Sequence, residues 1–290
     1  PEPIVTLQKK PPEQAGIARP AGYDPLVPTT VTGAMRLLLL DVSRGCSRYV
    51  AGTVSADRAL ALSAKFHERY DLSGDPVRRS RRRAKGEAVF SLHFFPQFGE
   101  TDLHWWLLRT DGDHPLLSLE SWRDATNVRD AICWWDRYEL VREPVPVAHR
   151  RKLAGPGGKP VKPVTWTWRF RREAIEAIRA HIRHIVQHPD DRLRQLVRSL
   201  ASAPGWRQIR SDVKQLHRFL EQQQAQHRVP ETRRVGMPAT IRWTTPRAIR
   251  RVPLSVLCRR AAQGQESWFP DNEWLTGLAP ESDFPPPNTV

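Results

Sequence analysis

The spacing of hydrophobic and polar positions changes character near the middle of this chain. Between residues 35 and 144, short apolar or aromatic runs alternate with polar stretches, the pattern of strands interrupted by helices. Residues 35–42 (MRLLLLDV) form an apolar run short enough for a buried strand. Residues 48–54 (RYVAGTV) are β-rich. Ser55 can cap a helix over residues 56–70, with Leu60, Ala64 and Phe66 on its buried side. The arginine-rich residues 78–85 then read as a loop. Residues 88–95 (AVFSLHFF) and 103–110 (LHWWLLRT) are two aromatic strands joined by Pro96-Gln97-Phe98-Gly99, a hairpin signal. Residues 117–127 suit a short helix, and residues 133–141 (CWWDRYELV) a last strand closed by Pro144. Counted from Arg48, the order β-α-β-β-α-β is that of a ferredoxin-like, split βαβ fold.

Beyond a Gly/Pro/Lys linker at 154–160, residues 165–170 (TWTWRF) alternate as a strand with both tryptophans on one face. The period then becomes helical. Ile175, Ile178, Ile182 and Ile185 mark one helix. Leu193, Leu196, Val197 and Leu200 mark a second, capped by Asp190. A third starts near Trp206 with Ile209, Val213, Leu216 and Leu220 inward. After Pro230 short segments and loops are expected. The fold class predicted is therefore α+β: a ferredoxin-like N-terminal half followed by a mainly helical, basic half.

Charge divides the chain further. With 46 Lys+Arg against 31 Asp+Glu the net charge is +15, and 38 of the bases are arginine. Residues 1–34 are proline-rich and read as an extended arm that a protein partner can order. Residues 35–150 form the α+β domain, 151–260 the basic helical region, and 261–290 an acidic tail without Lys or Arg. No run of ~18 apolar residues predicts a membrane span, and no basic-then-apolar start predicts a signal peptide. Three scattered cysteines suit a reduced, cytoplasmic setting rather than a disulfide framework or a zinc site. The positive balance points to a polyanion, although arginine-favouring codon usage is an equal account of it.

Guanidinium forks grip phosphate bidentately and stack on bases. The candidate nucleic-acid contacts are accordingly Arg78, Arg79, Arg81, Arg82, Arg83 and Lys85 in the basic segment, Trp105, Arg109 and Arg169 on the aromatic strands, Arg207, Arg210, Lys214 and Arg218 along the third helix, and Arg242 beyond it. Strand alternation should bury one ring of each Trp-Trp pair and present the other. The break at residues 203–205 resembles a helix-turn-helix junction, which would put the third helix on DNA. His67 near the end of the first long helix can accept a proton from an RNA 2′-hydroxyl, an arginine stabilising the phosphate. The plainer alternative is an exposed helix histidine. His181, His184 and His188 share a helix face, but Arg179 and Arg183 beside them oppose a cation, so no metal is expected. No His-x-His pair of the rolling-circle type is present, nor GxxxxGK[ST] or GxGxxG, so no cofactor is expected.

The element order, the basic segment and the histidine on the first helix, over residues 35–144, resemble the CRISPR-associated RAMP proteins. That resemblance implies a ferredoxin-like fold that holds repeat RNA and, in one branch, cuts it without metal. The glycine-rich segment of that group near the C-terminus has no counterpart, since Gly155–Gly158 lie mid-chain. The expectation is a nucleic-acid-binding protein with RNA ahead of DNA. The alternatives are a metal-independent endoribonuclease, a DNA-binding protein of a plasmid or other mobile element, and a non-enzymatic scaffold of a nucleoprotein complex.

Overall fold

The computed structural model describes residues 22–97, 102–147, 163–186, 191–236, 249–265 and 268–269. Residues 1–21 of the arm, the linker at 154–160, Asp190, Arg242 and nearly all of the acidic tail lie outside them. Among the described residues, seven α-helices and three antiparallel sheets make a mixed α+β fold. No described helix is long and apolar enough to cross a membrane.

The chain enters through β1 (Leu26–Pro28) and α1 (Val31–Ser43). The central sheet then takes β2 (Arg48–Ser55), β3 (Phe90–Pro96), β4 (Asp102–Arg109) and β5 (Arg123–Asp124), in spatial order β3-β4-β2-β5. Helix α2 (Ala56–Tyr70) follows β2, and α3 (Pro76–Ala84) precedes β3. Register assigns the two faces. Phe90 and Phe94 share one with Trp105 and Leu107, where Tyr70 stacks on Phe90 and Phe66 packs on Trp105. Phe95, His93, Trp106 and Tyr49 share the other. That face meets a second sheet of β6 (Ile132–Trp134), β7 (Tyr138–Pro144) and β8 (Val164–Phe170), with Trp106 and Trp134 stacked at 5.3 Å. Helix α1 joins the same layer, where the Trp168 indole donates to the Met35 carbonyl at 3.0 Å.

The helical half buries the residues that its period marks, except Ile175, which is half-buried. In α4 (Arg172–Ile185) Ile178, Ile182 and Ile185 are buried. In α5 (Asp191–Ala201) they are Leu193, Leu196, Val197 and Leu200, and in α6 (Arg207–Gln226) Ile209, Val213, Leu216 and Leu220. Helix α6 also covers the open edge of β8, where the Asp212 carboxylate accepts from the Phe170 backbone N–H at 3.1 Å. That edge would otherwise leave a buried donor unpaired. The chain returns through β9 (Arg251–Pro253), paired with β1, and α7 (Leu254–Ala262). Asp24 caps α7 from 231 residues away, accepting from both the Ser255 N–H and its hydroxyl.

Several expectations are corrected. Residues 35–42 are helical, because Thr30 caps the Gly33 N–H at 3.1 Å and Met35, Leu38 and Val42 fall on one buried face. An apolar run of this length does not distinguish strand from helix. Residues 26–34, read as arm, hold β1 and the first turn of α1. The basic segment is not a loop but α3, started by Asp75 as N-cap and Pro76 at its first position. Residues 117–127 form a short 3-10 turn and β5, not a helix. Residues 133–141 fold into the β6-β7 hairpin, with Trp135 at φ 47° in the bend. The place beside β2, assigned by the sequence order to residues 133–141, is taken by β5 through an Arg48–Asp124 ion pair at 2.9 Å. On α2 the buried side holds Ala59, Ser63, Phe66 and Tyr70, with Leu60 and Ala64 only half-buried, and Ser55 makes no side-chain cap bond.

Candidate functional site

Helix α3 differs from the other six: none of its nine residues is buried. Its start is well specified, since the Asp75 carboxylate accepts from the Arg78 N–H at 2.8 Å. Its end carries Arg81, Arg82 and Arg83, cations at the negative pole of the helix dipole. Like charges at i,i+4 (Arg78 and Arg82, Arg79 and Arg83, Arg81 and Lys85) each oppose the helix by roughly 0.2–0.5 kcal/mol. Ionic contacts therefore hold it to the body. Arg78 pairs with Asp71 at 2.7 Å, and Arg82 reaches Asp71 at 3.6 Å, Glu87 at 3.2 Å and the Ala88 carbonyl at 3.1 Å. Asp71 sits at φ 49° in the left-handed region that closes α2, a place where glycine is the usual occupant.

Arg78, Arg81, Arg82 and Lys85 follow i, i+3, i+4, i+7 spacing, so they share a face of α3. With Asp71 and Glu87 they line an open groove of 380 Å³. Four cations against two carboxylates leave that lining net positive.

On its other side α3 adjoins a polar cluster inside the fold. The His93 Nε2 lies 2.8 Å from Asp41 Oδ2, and the Ser91 hydroxyl donates to the same oxygen at 2.5 Å. Burial pushes the Asp41 carboxyl up, but hydrogen bonds from His93 and Ser91 and the charges of His93 and Arg79 outweigh it and hold Asp41 at about 2. Burial, with Asp41 nearby, pushes the Cys46 thiol up to about 11, while Arg83 Nη2 approaches its sulfur at 3.9 Å. That thiol is a packed, protonated group rather than a nucleophile. Ser91 and Asp41 both meet the same ring nitrogen of His93, so the three do not form a nucleophilic relay, in which a histidine uses its two nitrogens separately.

The other sequence candidates are dispersed. The His67 ring stacks on Tyr23 with centroids 5.1 Å apart, and its Nδ1 is buried without a hydrogen-bond partner. It is packed between α2 and the entering chain, and it does not line the groove. Trp105 is half-buried against Phe66 and lies so near Gly52 that a Cβ there would meet the ring at 3.1 Å. In each Trp-Trp pair one ring is buried, Trp106 or Trp134, and the other, Trp105 or Trp135, is half-exposed. Arg109 lies over the Trp122 ring at 5.0 Å and bonds the Thr110 carbonyl. Arg169 is held in a fork by Glu139 at 2.7 Å and Glu143 at 3.0 Å. Arg207 bonds the Pro144 carbonyl at 2.7 Å, Arg210 is half-buried, and Lys214 and Arg218 are exposed on α6. Helix α6 packs its apolar face on β8 and α4 and closes the second sheet, with Lys214 and Arg218 on its outer side. Arg242 and His188 lie outside the described residues. Among the described residues no three His, Cys, Asp or Glu side chains gather as a metal site.

Sequence reasoning found the cations of the groove and missed its carboxylates. Asp75-Pro76 was a legible helix start, but Asp71, Glu87, Asp41 and His93 carry no local signature. Comparison with family models, curated proteins and solved structures finds no match.

Proposed function

We propose that this chain is a nucleic-acid-binding protein that grips phosphates with the cations of α3. One observation carries the reading: a helix with five bases, followed by Lys85 at its C-cap, has no buried side chain and stands on the surface beside a net-positive groove. Its internal repulsion is relieved by a polyanion, so binding and helix stability reinforce each other. Base stacking lends less support, because Trp106, Trp134 and Trp168 are buried and Trp105, Trp135 and Trp166 are only half-exposed. Phosphate contact is the main support.

The ferredoxin-like and RAMP-type reading draws support from the order of the four antiparallel strands. A split βαβ sheet shares the order β3-β4-β2-β5, although here both α2 and α3 lie between β2 and β3 and only a 3-10 turn lies between β4 and β5. His67 lends the ribonuclease alternative no support, since its ring is occupied by Tyr23.

The test is a salt titration of binding to hairpin RNA, single-stranded RNA and duplex DNA. Log K should fall linearly with log salt, and each phosphate-gripping cation removed should lower the slope by about 0.7–0.9. Arg81→Ala and Lys85→Ala should each do so, whereas Arg169→Ala should not. Absence of binding at low salt, or slopes indifferent to Arg81 and Lys85, would overturn the proposal.

A further inference from the structure

The groove beside α3 contains an acceptor that its ion pairs leave unused. Both oxygens of Asp71 are engaged: Oδ2 holds Arg78 and reaches Arg82, and Oδ1 accepts from the Ser73 hydroxyl at 3.3 Å. Arg82 is committed to three partners and serves as part of the wall. Glu87 gives only Oε2 to Arg82, and Oε1 makes no hydrogen bond among the described residues. Arg81 and Lys85, one turn apart in the same lining, carry no ion pair among the described residues.

Glu87 is also held rigidly. It forms a parallel bridge to Asp113, and the flanking bonds run from the Ala88 N–H to the Asp113 carbonyl at 3.0 Å and from the Asp113 N–H to the Gly86 carbonyl at 2.9 Å. Gly112, at φ 126°, lies so close that a Cβ would meet the Gly86 oxygen at 2.6 Å and the Glu87 carbonyl carbon at 2.8 Å. The backbone of Glu87 is thus fixed by two packed segments, and the Arg82 bond to Oε2 orients the carboxylate.

A carboxylate repels a phosphate, so a groove serving phosphate alone gains nothing from a free Glu87 oxygen. The combination of two free cations with one free acceptor matches a ligand that brings an anion and a hydroxyl donor together. At 380 Å³ the groove is near the small end of ligand sites, of nucleotide rather than duplex size. Within one nucleotide the donor adjoining the phosphate is the ribose 2′-hydroxyl, which DNA lacks. Carboxylates commonly take that hydroxyl in ribose-binding sites.

We propose that Glu87 accepts a hydrogen bond from the 2′-hydroxyl of a nucleotide whose phosphate lies on Arg81 and Lys85, so that the groove selects single-stranded RNA over DNA. This rests on the nucleic-acid reading above and adds the residue that discriminates.

The experiment measures, by fluorescence anisotropy at one salt concentration, binding of one sequence as single-stranded RNA, DNA and 2′-fluoro RNA. The 2′-fluoro strand keeps a ribose-like sugar but cannot donate. Wild-type protein should hold RNA about fivefold tighter than either other strand, the effect of one partly exposed charge-assisted hydrogen bond. Glu87→Ala should tighten all three by removing a negative charge and bring their ratio to one. Glu87→Gln, which keeps an amide oxygen and the shape of the wall, should retain part of the preference. Arg81→Ala with Lys85→Ala should weaken all three strands alike. Equal wild-type affinities, or an RNA preference unchanged in both Glu87 variants, would overturn the inference while phosphate binding stands. No binding of any strand at low salt would overturn both.

Discussion

Replacing Asp41 by asparagine should remove a charge-dependent part of the stability and leave the shape of the cluster in place. Asp41 joins α1 to β3 through Ser91 and His93 and lies in the field of Arg79 on α3. Holding its carboxyl at about 2 rather than 3.8 is worth about 2 kcal/mol at ~1.36 kcal/mol per pH unit. Its folded value lies below the unfolded one, so this stabilisation is complete above about 3.8 and is lost as the pH falls through about 2. Asparagine still accepts from Ser91 but carries no charge. Urea unfolding followed by tryptophan fluorescence should find the variant about 2 kcal/mol less stable at pH 7. The gap should shrink to about half that at pH 3. A gap that does not change between pH 7 and pH 3 would refute the electrostatic account and leave only a packing role for this carboxylate.

Three further outcomes are expected. Gly112→Ala should destabilise by more than about 2 kcal/mol in chemical unfolding, since its Cβ meets backbone at 2.6–2.9 Å and its φ of 126° excludes a side chain. Asp212→Ala should lower stability by about 1–3 kcal/mol by orphaning the Phe170 N–H. Asp212→Asn keeps an acceptor and should be neutral or stabilising at pH 7. Burial raises the Asp212 carboxyl even against the Phe170 hydrogen bond, so the wild-type group favours folding most at low pH and loses that advantage as it ionises; equal losses in both variants would contradict this. Asp71→Gly should unfold close to wild type because glycine suits φ 49°, whereas Asp71→Ala should be about 1 kcal/mol less stable; equal and large losses in both variants, which alike remove the carboxylate, would show that the ion pairs to Arg78 and Arg82 outweigh the backbone strain.

Local chemistry alone determined the helical half and the charge. The period of Ile178, Ile182 and Ile185, and of Ile209, Val213, Leu216 and Leu220, fixes a buried face whatever packs against it. The alternation in 48–54, 103–110 and 165–170 likewise marked strands, and the basic density of residues 78–85 was visible before any fold. Tertiary structure decided the rest, because burial is a property of pairs of surfaces. Trp105 and Trp106 point to opposite faces as alternation requires, yet each face is covered, one by α2 and the other by the second sheet. The run at 35–42 satisfied strand and helix equally until the Thr30 cap and the burial of Met35, Leu38 and Val42 on one face chose the helix. The carboxylates that give the groove and the polar cluster their character come from outside α3, and Asp41 meets His93 across 52 residues. Charge density in the sequence located the cations. Which of them stay free for a ligand depended on which acids the fold carried to them.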